Sequence, residues 1–126
     1  MPATRTSIDA SRKVAMKNDR GINHVLVDGD GLNNVSVQVQ EFNVGAAFGG
    51  YHYHEGSDNI YLVLSGTIES VVDGETLLLK EGDLMFIPAG SPHKTKNGGD
   101  VVARALEIYA PPAGEDSHPA PDPEAG

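Results

Sequence analysis

The sequence predicts an all-β, antiparallel fold of the sandwich or barrel kind. Three observations carry that expectation. Apolar and polar residues alternate over short runs, turn signals separate the runs at intervals of about ten residues, and no stretch between them has helical periodicity. Fifteen Gly and eight Pro in 126 residues supply the turns that such a chain needs.

Residues 1–20 read as a polar arm, within which 8–16 suits a short helix or an extended segment. Residues 21–110 carry the strands. Val35, Val37 and Val39 alternate with Ser36, Gln38 and Gln40, the period-2 pattern of a half-buried strand. Residues 61–64 end at Ser65-Gly66, and 67–72 end at Asp73-Gly74, a strong hairpin signal. Residues 75–80 run to Glu81-Gly82, and 84–87 stop at Pro88-Ala89-Gly90. Asn97-Gly98-Gly99-Asp100 reverses the chain before a last strand over 101–109. From 111 to 126 the composition turns to proline and acids, with too few apolar groups to offset ordering entropy, so a disordered tail is expected.

Composition removes several function classes. Eighteen acids against nine bases give a net charge of -9, which repels a phosphate backbone, so no nucleic-acid partner is expected. The absence of Cys excludes disulfides, thiolate metal sites and Cys nucleophiles, and it suits a reducing cytoplasm. The longest apolar run, 60–64, is strand-sized and far short of the ~18 residues of a membrane helix, so no membrane association is expected. The first twenty residues lack the apolar stretch of a secretory signal.

Chemistry concentrates around two of the five histidines. His52 and His54 stand at i and i+2, a spacing that places both rings on one face of a strand, about 7 Å apart along it. Two imidazoles so placed can share a divalent ion. An isolated His-x-His more often marks a pair of surface rings, here beside Tyr51 and Tyr53.

Two separate stretches give the pair a context. The first runs Gly45, His52-Tyr53-His54, Asn59 and Gly66; the second runs Gly82, Pro88-Ala89-Gly90, His93 and Asn97. Together they resemble the two motifs of the cupin family, across about residues 45–97. The resemblance implies an antiparallel jelly-roll barrel, the double-stranded β-helix, in a small single-domain protein. It also implies that His93 faces His52 and His54 inside the barrel, so that the three are metal ligands. The chain departs from the pattern twice. Six residues rather than the usual five separate Gly45 from His52, and the position that usually holds a Glu ligand holds Asn59. By this reading Asn59 is a weak fourth ligand or binds a water on the metal.

Three neutral imidazoles leave a divalent ion its full charge, which strengthens it as a Lewis acid and attracts anionic or chelating small molecules. The resemblance therefore implies a metalloenzyme, leaning to a nonhaem Fe(II) dioxygenase. Mn, Zn, Ni, Co and Cu ions also accept imidazole. Alternatives are a non-oxidative isomerase, cyclase, lyase or decarboxylase, and a non-catalytic binding protein. No organic cofactor is indicated.

Strand alternation puts Tyr61 and Val63 on the metal side, which makes Tyr61 a candidate proton-transfer group together with Glu55 and Tyr53. Ile60, Leu62 and Leu64 then form an outward apolar stripe that needs a cover, either the arm or a second subunit, and a homodimer is expected. Phe48, Tyr51 and Phe86 are expected at the mouth. Lys94 and Lys96 are expected in solvent, and His24 at a strand edge. His118, in the tail, is assigned no role.

Overall fold

The computed structural model describes residues 3–29 and 33–124. Eleven strands appear among them: β1 (Arg12–Ala15), β2 (Gly21–Val27), β3 (Ser36–Phe42), β4 (His52–Tyr53), β5 (Asp58–Ser65), β6 (Thr67–Val72), β7 (Glu75–Lys80), β8 (Leu84–Ile87), β9 (His93–Asn97), β10 (Ala103–Ala110) and β11 (His118–Pro119). They form two sheets, ordered β1-β2-β3-β10-β5-β8 and β11-β4-β9-β6-β7. Every strand pair is antiparallel. The all-β jelly-roll expectation holds.

The core comprises Phe42, Tyr61, Val63, Ile68, Leu79, Met85, Ile87, Ala103 and Ala105. Ile68, wholly buried, contributes about 1.5–3 kcal/mol through removal of its side chain from water. The reversal between β5 and β6 depends on Gly66. It sits at φ +76°, and a Cβ there would lie 2.8 Å from the Ala103 Cα, so glycine is required on two counts. The hairpin expected at Asp73-Gly74 joins β6 to β7, with Val72 opposite Glu75.

In β5, Asn59, Tyr61 and Val63 are buried while Ile60, Leu62 and Leu64 are only half-buried, as the period-2 pattern predicts. Register extends that outer stripe, since Ile60 lies opposite Phe86 and Leu62 opposite Leu84. Phe86 is 55% exposed on this face and Leu84 60%. The expectation of Phe86 at the mouth is therefore corrected: it alternates with the buried Met85 and Ile87 and points the other way.

In β3 the polar set faces inward. Gln38 lies opposite Glu107 and donates its amide N–H to that carboxylate, which leaves Val37 and Val39 on the outer face. His24 is not at an edge. It lies in β2, opposite Val39, with β1 paired on the far side, and is 4% exposed.

The arm forms β1 at the edge of the larger sheet and then a short 3-10 turn over Lys17–Asp19, which delivers Arg20 to the barrel. Residues 1 and 2 lie outside the described residues, as do 125 and 126 of the tail. Composition predicts disorder beyond Ala110, whereas residues 111–124 follow a defined path across the smaller sheet. Main-chain pairing of β11 with β4 and side-chain anchors fix that path, and neither depends on apolar content.

Candidate metal centre

His52 belongs to β4 and lies opposite His93 of β9, while His54 follows directly after β4. The turn before β9 aims His93. Ser91 donates its N–H to the Pro88 carbonyl, and Gly90, at φ +90°, donates its N–H to the His54 carbonyl at 2.7 Å. One turn thus ties the later ligand strand to the earlier one. Ring centroids are 5.0 Å apart for His52 and His54, 4.5 Å for His52 and His93, and 5.3 Å for His54 and His93. One nitrogen from each ring lies within 4.8 Å of the other two. The three rings expected to converge are brought together.

Each Nδ1 is held by a main-chain oxygen. His52 Nδ1 lies 2.7 Å from Gly50 O, His54 Nδ1 2.6 Å from Asp116 O and His93 Nδ1 3.0 Å from Ser91 O. A carbonyl only accepts, so each Nδ1 carries the proton and each Nε2 presents a lone pair. The Nε2 atoms of His54 and His93 are buried without a hydrogen-bond partner. Burying unpaired acceptors is costly, and a shared cation would satisfy them at once. The donor set fits a divalent transition ion.

Electrostatics keep His93 and His52 neutral. Burial lowers the His93 pKa to about 4; the Ser91 carbonyl opposes the shift, and His52 and His54 add to it. Burial likewise lowers His52, against the bond to Gly50.

Asn59, on β5, is fully buried. Its Nδ2 donates to Glu107 Oε2 and to the Ile108 carbonyl, both at 3.2 Å, and its Oδ1 is a buried acceptor without a partner. Glu107, also fully buried, was not among the sequence candidates. It faces inward on β10, opposite Tyr61 of β5. Burial and the adjacent Glu107 charge push the hydroxyls of Tyr61 and Tyr109 well above 10, so both keep their protons. A cavity of about 140 Å³ is lined by His52, His93, Tyr61, Tyr109, Gln40 and Arg20, and neither Asn59 nor Glu107 reaches its wall.

Arg20 was also missed. Its Nη2 donates to the Thr95 carbonyl at 3.3 Å, and its Nε is a buried donor with no acceptor. Lys94 corrects the expectation of a solvated side chain. It is 6% exposed and bonds to Asp122 and Glu124, both at 2.9 Å, with its ammonium 4.4 Å from the Phe48 ring centre. Tyr51 is buried, and its hydroxyl accepts the Gly74 N–H.

Glu55 is not brought to the rings. Its side chain is 81% exposed and approaches His118 Nε2 at 3.9 Å. Tyr53 stacks on His118 at 5.2 Å and does not line the cavity. Glu55, Asp116 and His118 cluster, but Asp116 is already engaged by the Glu55 and Gly56 amides, which hold its carboxyl below the usual range.

Among the described residues, no helix is long and apolar enough to cross a membrane. A family profile described as "Cupin domain" matches residues 38–109. Tetracenomycin polyketide synthase protein TcmJ, from Streptomyces glaucescens, is 31% identical over 80 residues, which is 59% of this chain and 54% of that protein. The chain spans 18% to 54% of the length of the curated relatives it matches. Among solved structures, the polyketide cyclase RemF from Streptomyces resistomycificus superposes with a TM-score of 0.77 at 21% identity, covering 98% of this chain and 89% of RemF. KdgF from Halomonas sp. gives 0.76 at 18% identity, covering 88% and 96%. At such identities the likeness concerns the fold.

Proposed function

Because the chain belongs to the cupin domain family, we propose that it is a small-molecule metalloenzyme whose ion is held by His52, His54 and His93. The observation that supports this reading is the set of three Nδ1–carbonyl bonds, which leave the Nε2 lone pairs free in three rings that each bring a nitrogen within 4.8 Å of the other two. Asn59 Oδ1 is the fourth donor, to the ion or to a water on it, since its amide N–H groups are engaged by Glu107 and Ile108.

The reaction class we favour is proton transfer on an enolisable, chelating anion, as in an isomerase, cyclase, lyase or decarboxylase. A divalent ion in the site supplies Lewis-acid polarisation of a chelated oxygen. Glu107 takes up and returns the proton through Tyr61 and Tyr109, which line the cavity and hydrogen-bond to its carboxylate. Tyr61 and Tyr109, protonated at all ordinary pH, donate hydrogen bonds to developing negative charge. Arg20 binds the anion through its unpartnered Nε–H. RemF is described as a polyketide cyclase and TcmJ as a polyketide synthase protein, and polyketide-like diketones are enolisable chelators of the required kind.

The second reading is the nonhaem Fe(II) dioxygenase. It is favoured by a ligand set of three neutral imidazoles with Asn59 in place of a carboxylate. The test is turnover of β-diketones and 2-oxo acids by protein loaded with Fe(II), Zn(II) or Mn(II), with and without O₂. Oxygen-independent turnover that His52→Ala abolishes supports proton transfer. Stoichiometric O₂ uptake with Fe(II) alone supports the second reading. No turnover by any loaded form beyond that of His52→Ala overturns both.

We further propose a homodimer in a reducing cytoplasm, formed through the outer face of the larger sheet. β1 lies at the opposite edge of that sheet from β8, so the arm strand does not cover Leu84 and Phe86.

A further inference from the structure

We propose that residues 116–124 are a working part of the metal centre, with Asp116 the residue that positions His54. The inference rests on the metal-site reading and goes beyond it, because it places a determinant of ion affinity outside both His-bearing motifs.

The segment touches both ligand-bearing strands. Asp116 grips the turn after β4 in two ways. Its carboxylate accepts the N–H groups of Glu55 and Gly56, each at 2.8 Å, and its carbonyl accepts the Nδ1–H of His54 at 2.6 Å. The side chain thus fixes the residue against the turn, and the main-chain oxygen of the same residue fixes the ring. β11 then pairs with β4, His118 opposite Tyr53 and Pro119 opposite His52, and Ala120 donates its N–H to the Tyr51 carbonyl at 3.0 Å. Farther along, Asp122 and Glu124 close on Lys94, the neighbour of His93.

The physical consequence concerns tautomer and aim. Gly50 and Ser91 hold their histidines from two residues away in sequence, whereas the acceptor for His54 comes from 62 residues away. Loss of that acceptor frees the His54 ring to carry its one proton on Nε2 instead of Nδ1 and to rotate, and either removes a donor from the ion. Groups that orient ligands in this way typically matter by about 10–100-fold in metal affinity.

The test uses Co(II) titration against a competing chelator, with 15N-detected NMR of the His54 ring in the metal-free protein. Four proteins are compared: the full chain, Asp116→Ala, Asp116→Asn, and a chain ending at Gly114. In the full chain, His54 is expected as the Nδ1–H tautomer. In Asp116→Ala, Co(II) affinity falls about 10–100-fold and the Nε2–H tautomer appears. Asp116→Asn falls less, because one side-chain acceptor remains. The shortened chain falls at least as far as Asp116→Ala; if circular dichroism finds it unfolded, Asp116→Ala decides. Affinity within twofold of the full chain in Asp116→Ala, with the tautomer unchanged, overturns the proposal. Failure of the full chain to bind Co(II) overturns the metal-site reading itself, which separates the two failures.

Discussion

Asn59 and Glu107 meet across β5 and β10, with the amide of one donating to the carboxylate of the other at 3.2 Å inside a fully buried pair. The resemblance implies a carboxylate where Asn59 stands; here a carboxylate lies on the neighbouring strand, bound by the Asn59 Nδ2, while the Asn59 Oδ1 has no partner.

Glu107→Gln is therefore expected to lower kcat by about 10²- to 10⁴-fold, the usual worth of a positioned proton-transfer group. Co(II) affinity should stay within a few-fold of wild type, because the three imidazoles are untouched. Steady-state kinetics and metal titration on the same preparation check both halves; a parallel loss of metal would assign Glu107 a purely structural part.

Arg20→Gln should weaken binding of a small dicarboxylate probe, malonate, to the metal-loaded protein. The expected factor is about 10–100, from loss of a charge-assisted hydrogen bond worth about 1.5–3 kcal/mol. Calorimetric titration measures it. An unchanged malonate affinity would remove Arg20 from anion recognition.

Stability of the metal-free protein should fall as pH drops from 6.5 toward 4. The folded state holds His93 at about 4 through burial, below the ordinary 6.5, so the unfolded chain binds the proton first. The stabilisation is present above pH 6.5 and is lost progressively down to about 4, amounting to about 3 kcal/mol for this residue. His52, lowered in the same direction, adds to the slope. Urea melts at pH 7.5 and 4.5, for wild type and His93→Gln, check it: the variant should show a shallower dependence.

Phe86→Asp, and more strongly Leu84→Asp with Phe86→Asp, should convert a dimer of twice the chain mass to monomer in light scattering. Both side chains are more than half exposed on the outer face, so folding should be little affected.

The three imidazoles were legible by two routes: strand alternation puts His52 and His54 on one face, and the resemblance to the two cupin motifs implied that His93 faces them. Glu107 was illegible for a physical reason. Between Leu106 and Ile108 it reads as the solvent-facing member of an alternating strand, and it is buried only because β10 runs between β3 and β5. The inward partners Ala103 and Ala105, small residues on the same face, are the one local sign that this face is crowded. Gln38 and Gln40 mislead in the same way, being polar residues that line a lumen. The tail was misjudged because composition measures apolar content, while Asp116, β11 and Lys94 hold it by hydrogen bonds and ion pairs.

All three imidazoles are aimed by oxygens of the main chain. Any amino acid that keeps the local path at positions 50 and 91 supplies the same oxygen, and a Cβ added at Gly50 would meet nothing within 4 Å. Evolutionary drift can thus rewrite those positions without disturbing ring orientation, so descent within such a lineage is better traced by the course of the backbone than by shared letters.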